Sequence, residues 1–149
     1  MRAVVQRVRD CAVAVGGRTV GSIRGGLLVY LGVGRADTSA TVPALVDKVV
    51  NLRIFTDAAG KMNRSVKDTG GEVLVVPQFT LYGDVRDGRR PSYTAAAEPA
   101  IARELYEAVM RGIAAEGVPV AGGEFAARMD VSYVNEGPVT ILVDSEKTF

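Results

Sequence analysis

The chain reads as an α/β or α+β domain: β-rich layers, as two packed sheets or a partial barrel, with two helices on one side. Three observations predict this. Apolar runs of strand length fill the first third of the chain and its end. Two amphipathic stretches with helical spacing lie between them. Glycine or proline punctuates the boundaries.

Arg2 to Val8 is the first strand candidate. Cys11 to Val15 and Arg18 to Ile23 flank Gly16-Gly17, a two-residue hairpin signal. Leu27 to Val33 is a continuous apolar run suited to a central strand covered on both faces. The period then changes: Val42, Leu45, Val46, Val49 and Leu52 recur at helical spacing, with Ser39 or Thr41 as cap and Pro43 in the first turn. Thr56 to Lys61 is a turn, Glu72 to Val76 another strand, and Gly83 to Tyr93 a polar loop. The second helix starts at Pro99, buries Ile101, Leu105, Ala108, Val109, Gly112 and Ile113, and ends at Gly117 and Pro119. Strands around Phe125 to Val134 and Pro138 to Val143 close the fold, and the tail from Ser145 to Phe149 is expected to fray.

No repeat or interdomain linker interrupts residues 1–149, which read as a single domain. A chain of that length buries about 68–70% of its unfolded surface. The order lacks the regular alternation of a dinucleotide-binding sheet. Gly32-Val33-Gly34 offers only half of that fingerprint, and the following helix starts too late.

Composition removes several function classes. With 48% hydrophobic but 6% aromatic residues, the core is mostly Val, Leu, Ile and Ala. The absence of His excludes Ser-His-Asp and Cys-His nucleophile activation and His-ligated zinc. Cys11, the one cysteine, cannot form an intrachain disulfide or hold a structural metal alone; its alternating neighbours mark it as a core residue. A lone thiol fits a reducing compartment. No signal peptide is evident and no apolar run reaches the ~20 residues of a membrane span, so the expectation is a soluble, cytoplasmic protein.

A net charge of +1 argues against a general nucleic-acid coat protein but leaves local phosphate contacts open. Arg2, Arg7, Arg9, Arg18 and Arg24 crowd the start; Asp130, Glu136, Asp144 and Glu146 crowd the end. Arg86, Arg89 and Arg90 form a second basic cluster in a loop diluted by Asp84 and Asp87. The simplest reading of both clusters is solvated surface.

Two segments carry candidate chemistry: Val75-Val76-Pro77-Gln78-Phe79-Thr80-Leu81 and Asn135-Glu136-Gly137-Pro138-Val139-Thr140. Each sets a polar cluster against an apolar run. At Gln78-Phe79-Thr80 the strand ends and backbone N–H groups become free to face a ligand, as in an oxyanion hole. Thr80 is either a nucleophile without a neighbouring base or an ordinary strand residue, Gln78 a ligand contact or a surface amide, Phe79 a platform or core. Gly137-Pro138 is either a plain turn or a strand interruption that exposes rigid carbonyls. Arg7 is an exposed strand charge unless something nearby needs its fork. Phe125 and Met129, placed in the last strand region, point the same way and form plain core or a groove wall.

Gln78-Phe79-Thr80-Leu81 and Asn135-Glu136-Gly137-Pro138-Val139-Thr140 resemble the two signature motifs of the D-aminoacyl-tRNA deacylases. The likeness extends over nearly the whole chain, through Val5-Gln6-Arg7-Val8, Leu27 to Val33, Arg53 to Asp57, Gly60 to Asn63, Arg90-Pro91-Ser92-Tyr93 and Gly123-Glu124-Phe125 leading to Met129. The resemblance implies a homodimeric enzyme that hydrolyses the ester joining a D-amino acid to the terminal adenosine of tRNA. It implies no metal or organic cofactor. It makes Gly137 and Pro138, joined by a cis bond, a chiral gate reaching across the dimer, with Arg7 as its brace. It gives Gln78, Phe79 and Thr80 to the scissile ester, and Phe125, Met129 and Ala102 to the adenine pocket. Asn135, within the second motif, is a further substrate-side candidate.

Two positions depart from the family pattern: Pro77 stands where serine is usual and Tyr93 where phenylalanine is usual. Pro77 removes a hydroxyl and a backbone N–H. It is similar in this to the related animal deacylases with relaxed chirality, which clear a mischarged L-amino acid but usually lack the aromatic kept here as Phe79. Glycyl-tRNA mischarged on tRNA-Ala is a further substrate of this reading. An alternative of another class is a non-catalytic oligomeric RNA-binding module.

Overall fold

The computed structural model describes every residue from Met1 to Phe149. Its strands are β1 (Arg2–Val15), β2 (Arg18–Gly32), β3 (Phe55–Thr56), β4 (Met62–Arg64), β5 (Glu72–Pro77), β6 (Val120–Gly122) and β7 (Asp130–Asp144). Its α-helices are α1 (Val42–Asn51), α2 (Val66–Thr69) and α3 (Pro99–Ala115). One mixed sheet has the order β6-β5-β2-β1-β7, and β3-β4 form a small second sheet. The expected α/β class therefore holds, with the short α2 and the brief strands β3, β4 and β6 added to it.

The four strands expected over the first 33 residues are two. β1 and β2 pair antiparallel from Arg2 opposite Gly32 to Val15 opposite Arg18, around the Gly16-Gly17 turn. The polar residues Arg9 and Asp10 bend the ladder without ending it: Asp10 takes a φ of 51°, and the β1–β7 register shifts between Arg9 and Ala12. The two closing strands are likewise one, β7, interrupted by a bulge rather than a turn.

This bending produces the layers. Ala3, Val5, Leu27, Val29, Leu31, Val73 and Val75 point to the helices and meet Leu45, Val49, Leu105, Val109 and Ile113 in the main core. The intervening Leu28, Leu74 and Val76 point to the opposite face, as strand alternation requires. There they are covered by Cys11, Val13 and Ile23 from the outer half of the same hairpin. That half curls over until Gly21 meets Gly122 of β6, where a β-carbon on Gly21 would stand 2.4 Å from the Gly122 carbonyl oxygen. Only glycine permits this approach. The sheet thus closes part of the way to a barrel.

α1 buries the expected stripe of Val42, Leu45, Val46 and Val49. Its preceding Thr41 does not cap through the side chain; that hydroxyl instead accepts from the Thr38 N–H at 3.3 Å. α3 buries Leu105, Tyr106, Val109 and Ile113, but Ile101 is exposed. Its first turn overhangs a cavity that Pro99 and Ala102 line, so no core is present for Ile101 to enter. The tail is also not loose. Ser145 N–H donates to the Met1 carbonyl at 2.9 Å, and Asp144 collects the Glu146 N–H at 3.0 Å and the Thr148 hydroxyl. Burial works against the Asp144 charge, but those donors and Arg2 outweigh it and hold the carboxyl below its ordinary range. No helix is long and apolar enough to cross a membrane.

Candidate active site

β5 ends at Pro77, opposite Leu31 of β2. Proline can close a strand but cannot extend a ladder through its nitrogen. The Gln78 N–H makes one more bond, to the Leu31 carbonyl at 2.8 Å, and the chain then turns into a 3-10 turn, Phe79–Tyr82. Leu81 N–H bonds the Gln78 carbonyl at 3.3 Å, so the N–H groups of Phe79 and Thr80 come before the turn's first internal bond. The leading N–H groups of a helical turn have no partner inside it. They stand side by side at the strand end, next to a cavity.

That cavity has a volume of 650 Å³. Leu31, Val76 and Pro77 come from the sheet, Gln78 and Phe79 from the turn, Ala102 and Tyr106 from α3, and Phe125 and Met129 from the segment before β7. Phe125 and Met129 are not in a strand. Ala126 takes a φ of 65° and Ala127 N–H bonds the Glu124 carbonyl at 3.2 Å, which makes a tight turn. Their even spacing fits a strand, but the turn, not alternation, aims both at the cavity. Gly123 anchors the turn by donating to the Val75 carbonyl at 2.9 Å.

Tyr106 was not singled out from sequence. Its hydroxyl donates to the Val75 carbonyl at 3.0 Å and the Gly123 carbonyl at 3.3 Å. Its ring lies 6.2 Å from that of Phe125. Burial pushes its phenol up to about 12, so it remains a donor across the whole working range of pH. Tyr106 lies one helical turn beyond Ala102, a spacing that puts both on one face of α3. That spacing was the available signal.

At the mouth, Phe79 and Tyr93 meet edge to face with centroids 5.0 Å apart, both substantially exposed. Thr80 does not line the cavity; its hydroxyl accepts from the Gln78 side-chain amide in the adjoining turn. No His exists to activate it, and no group of three or more His, Cys, Asp or Glu side chains is placed to hold a metal ion.

The second motif lies apart from this cavity. Gln6 pairs with Thr140 and Val8 with Asn135, so Arg7 alone faces the four residues Glu136, Gly137, Pro138 and Val139. The extra residues leave the ladder as a bulge on the edge strand. Asn135 closes its neck: Nδ2 donates to the carbonyls of Arg7 at 3.0 Å and Val139 at 3.1 Å, and Oδ1 accepts from Gln6 at 3.3 Å. Arg7 braces it from beneath. Nη1 donates to the Ile54 carbonyl at 2.7 Å, and Nε lies 3.5 Å from the Glu136 carboxylate without hydrogen-bond geometry. The Gly137–Pro138 peptide is cis and Gly137 has a φ of 114°. Of the sequence-derived candidates, Gln78, Phe79, Ala102, Phe125 and Met129 share the cavity. Arg7, Asn135, Gly137 and Pro138 form a separate projecting unit.

Comparison with known proteins assigns this architecture to a class of hydrolases acting on charged tRNA. The family model described as D-Tyr-tRNA(Tyr) deacylase matches residues 4–144. The chain belongs to that family, the D-aminoacyl-tRNA deacylases. It is 54% identical over 149 residues to a D-aminoacyl-tRNA deacylase of Thermosipho africanus (strain TCF52B), covering 100% of both chains. It is 56% identical over the same length to one of Desulforudis audaxviator (strain MP104C), again covering 100% of both. Among solved structures, one described as a c-Myc DNA unwinding element binding protein superposes with a TM-score of 0.92 at 37% identity, over 97% of this chain and 98% of that one. A probable eukaryotic D-amino acid tRNA deacylase shares the fold at a TM-score of 0.82 and 21% identity, over 95% and 97% of the two chains.

Proposed function

We infer that this chain, working as a single domain in a homodimer, hydrolyses the ester of D-aminoacyl-tRNA to free D-amino acid and tRNA. The observation that carries this reading is the paired N–H groups of Phe79 and Thr80 beside a 650 Å³ cavity that no His or Cys lines and whose one lining carboxylate, the exposed Glu98, is paired with Arg35 at 3.9 Å. A cavity of that size is within the range of small-ligand sites. Phe125, Met129 and Ala102 offer an apolar slot for the terminal adenine. This leaves the ester beside Gln78, Phe79 and Thr80.

Water adds to the ester carbonyl, and the two N–H groups stabilise the oxyanion of the tetrahedral intermediate. The bond to the ribose oxygen then breaks, and that oxygen leaves carrying a proton that came with the water. Such donors stabilise developing charge by about 2.7–4 kcal/mol each. This is suited to an activated ester, which needs little further help.

Chirality is read by Gly137 and Pro138 of a second copy. Within one chain this bulge projects from an edge strand and lines no part of the cavity, which supports its acting on a partner's site. A side chain of L configuration would meet the bulge, whereas a D side chain, or the hydrogen of glycine, points away. The reading places the enzyme in the cytoplasm as a translation proofreader. Release of labelled tyrosine from D-tyrosyl-tRNA tests the activity: binding without turnover would favour an RNA-binding module. Light scattering tests the assembly, for which a monomeric mass at micromolar concentration is the contrary result.

A further inference from the structure

The loop from Gly83 to Ser92 carries three arginines, one of which is already engaged. Arg86 chelates Asp84, with Nε 2.9 Å and 3.0 Å from its two oxygens, and holds that carboxyl far below its ordinary range. Arg89 and Arg90 are exposed and have neither a carboxylate nor a hydrogen-bond partner; Asp87 is the one unengaged acid beside them. The base of the loop is fixed. Asp84 N–H bonds the Ser92 carbonyl at 2.8 Å, and Ser92 N–H returns a bond to the Asp84 carbonyl at 2.9 Å.

The next residue, Tyr93, lines the cavity and packs on Phe79. Three residues of chain bring Arg90 Cα within about 11 Å of Tyr93 Cα. Elsewhere on the lining, Arg103 lies over the Phe125 ring with its guanidinium carbon 5.1 Å from the centroid, and it has no ion pair either. Guanidinium groups without an ion pair therefore lie in the loop that leads into Tyr93 and over Phe125, two residues that line the cavity.

We propose that Arg89 and Arg90, together with Arg103, form a phosphate track for the single-stranded 3′ end of the tRNA. The proposal rests on the reading that the cavity holds the terminal adenosine. If it does, the preceding phosphodiesters pass the rim, spaced a few ångströms apart along the strand. Guanidinium forks match phosphate oxygens in pairs. Asp84, which would repel the strand, is neutralised by Arg86. The track grips any tRNA alike, because it reads no base.

The test is the binding of uncharged tRNA, followed by fluorescence anisotropy across a salt series, which is independent of turnover. Each phosphate contact on a single strand contributes about 0.7 to the slope of log affinity against log salt. Replacing both loop residues, R89A with R90A, is expected to flatten that slope by about 1.4 and weaken binding roughly tenfold at low salt. The pair R89K with R90K keeps most of the slope, since charge is retained, and R103Q removes about a further 0.7. Wild-type affinity and slope in the double alanine variant would overturn the track. Wild-type failure to hydrolyse D-tyrosyl-tRNA would indict the functional reading instead, while the salt slopes still judge the arginines.

Discussion

A β-carbon added to Gly137 would lie 3.0 Å from Nη2 of Arg7. The brace and the bulge are therefore close-packed: a methyl group there would need the guanidinium to give way by a few tenths of an ångström. Arg7 is held in turn by the Ile54 carbonyl at 2.7 Å. The Gly137 backbone thus rests against the body of the fold through one guanidinium, while Asn135 closes the neck of the bulge. The ion pair of Arg7 with the half-exposed Glu136 adds little; such pairs contribute about 0–1 kcal/mol.

Gly137→Ala is expected to disable the enzyme. The methyl group would stand 2.9 Å from the Val139 side chain as well as against Arg7, at a φ of 114° that L residues rarely adopt. Strain of this kind costs about 1–3 kcal/mol. Single-turnover hydrolysis is expected to fall by at least about 100-fold, with the denaturation midpoint shifted by no more than that strain explains. Wild-type turnover by the alanine variant would remove Gly137 from the site.

Asn135→Ala removes both donors that close the neck of the bulge and leaves the carbonyls of Arg7 and Val139 without that partner. Such losses cost about 1–3 kcal/mol. Asn135→Asp does not rescue, because a carboxylate would face two carbonyl oxygens with nothing to donate. Urea denaturation, together with the ratio of D- to L-ester hydrolysis, measures the two effects. Unchanged values in both variants would show that the neck is held elsewhere.

Thr80→Ala retains hydrolysis, with a loss smaller than about 10³-fold. The Thr80 hydroxyl is engaged by the Gln78 amide and has no base beside it, so the proposed mechanism uses its backbone N–H instead. A threonine hydroxyl without such a base is a weak nucleophile. An inactive alanine variant fully rescued by Thr80→Ser would establish a nucleophilic hydroxyl instead.

Cys11 makes the pH prediction. Burial raises its thiol from 9.0 to about 11, so the folded chain keeps the proton after the unfolded chain has lost it. Its contribution is fully present below pH 9.0 and is lost as pH rises toward 11. Cys11→Ala therefore flattens the decline of stability over that window. At pH 8 the wild-type thiol is alkylated by iodoacetamide only after denaturation; rapid labelling of the native protein would contradict its burial.

Much of this was legible in the residues, and the limits have physical causes. The alternation in β1 and β2, the Gly16-Gly17 turn and the stripe Val42, Leu45, Val46 and Val49 are local patterns, and local patterns can be read. β6 is three residues long, too short to show a period, and exists because β5 offers Val73 to Val75 as a parallel partner. Phe125 and Met129 have strand-like spacing but sit in a turn that Ala126 makes by adopting a left-handed φ, a conformation alanine does not advertise. Both motifs could be found in the sequence. Their separation, one at a cavity and the other on an edge bulge, is set by tertiary register and left no local trace.

In the proposed mechanism the site hydrolyses D-aminoacyl esters and spares L-aminoacyl ones through its backbone. The direct measurement is the deacylation rate of D-tyrosyl-tRNA and L-tyrosyl-tRNA by the wild-type protein, on the same tRNA and at equal enzyme concentration. A steric gate that excludes one side chain is predicted to favour the D ester by at least about 100-fold, equivalent to some 2.7 kcal/mol of discrimination. Comparable hydrolysis of the two esters, or preference for the L form, would contradict the account.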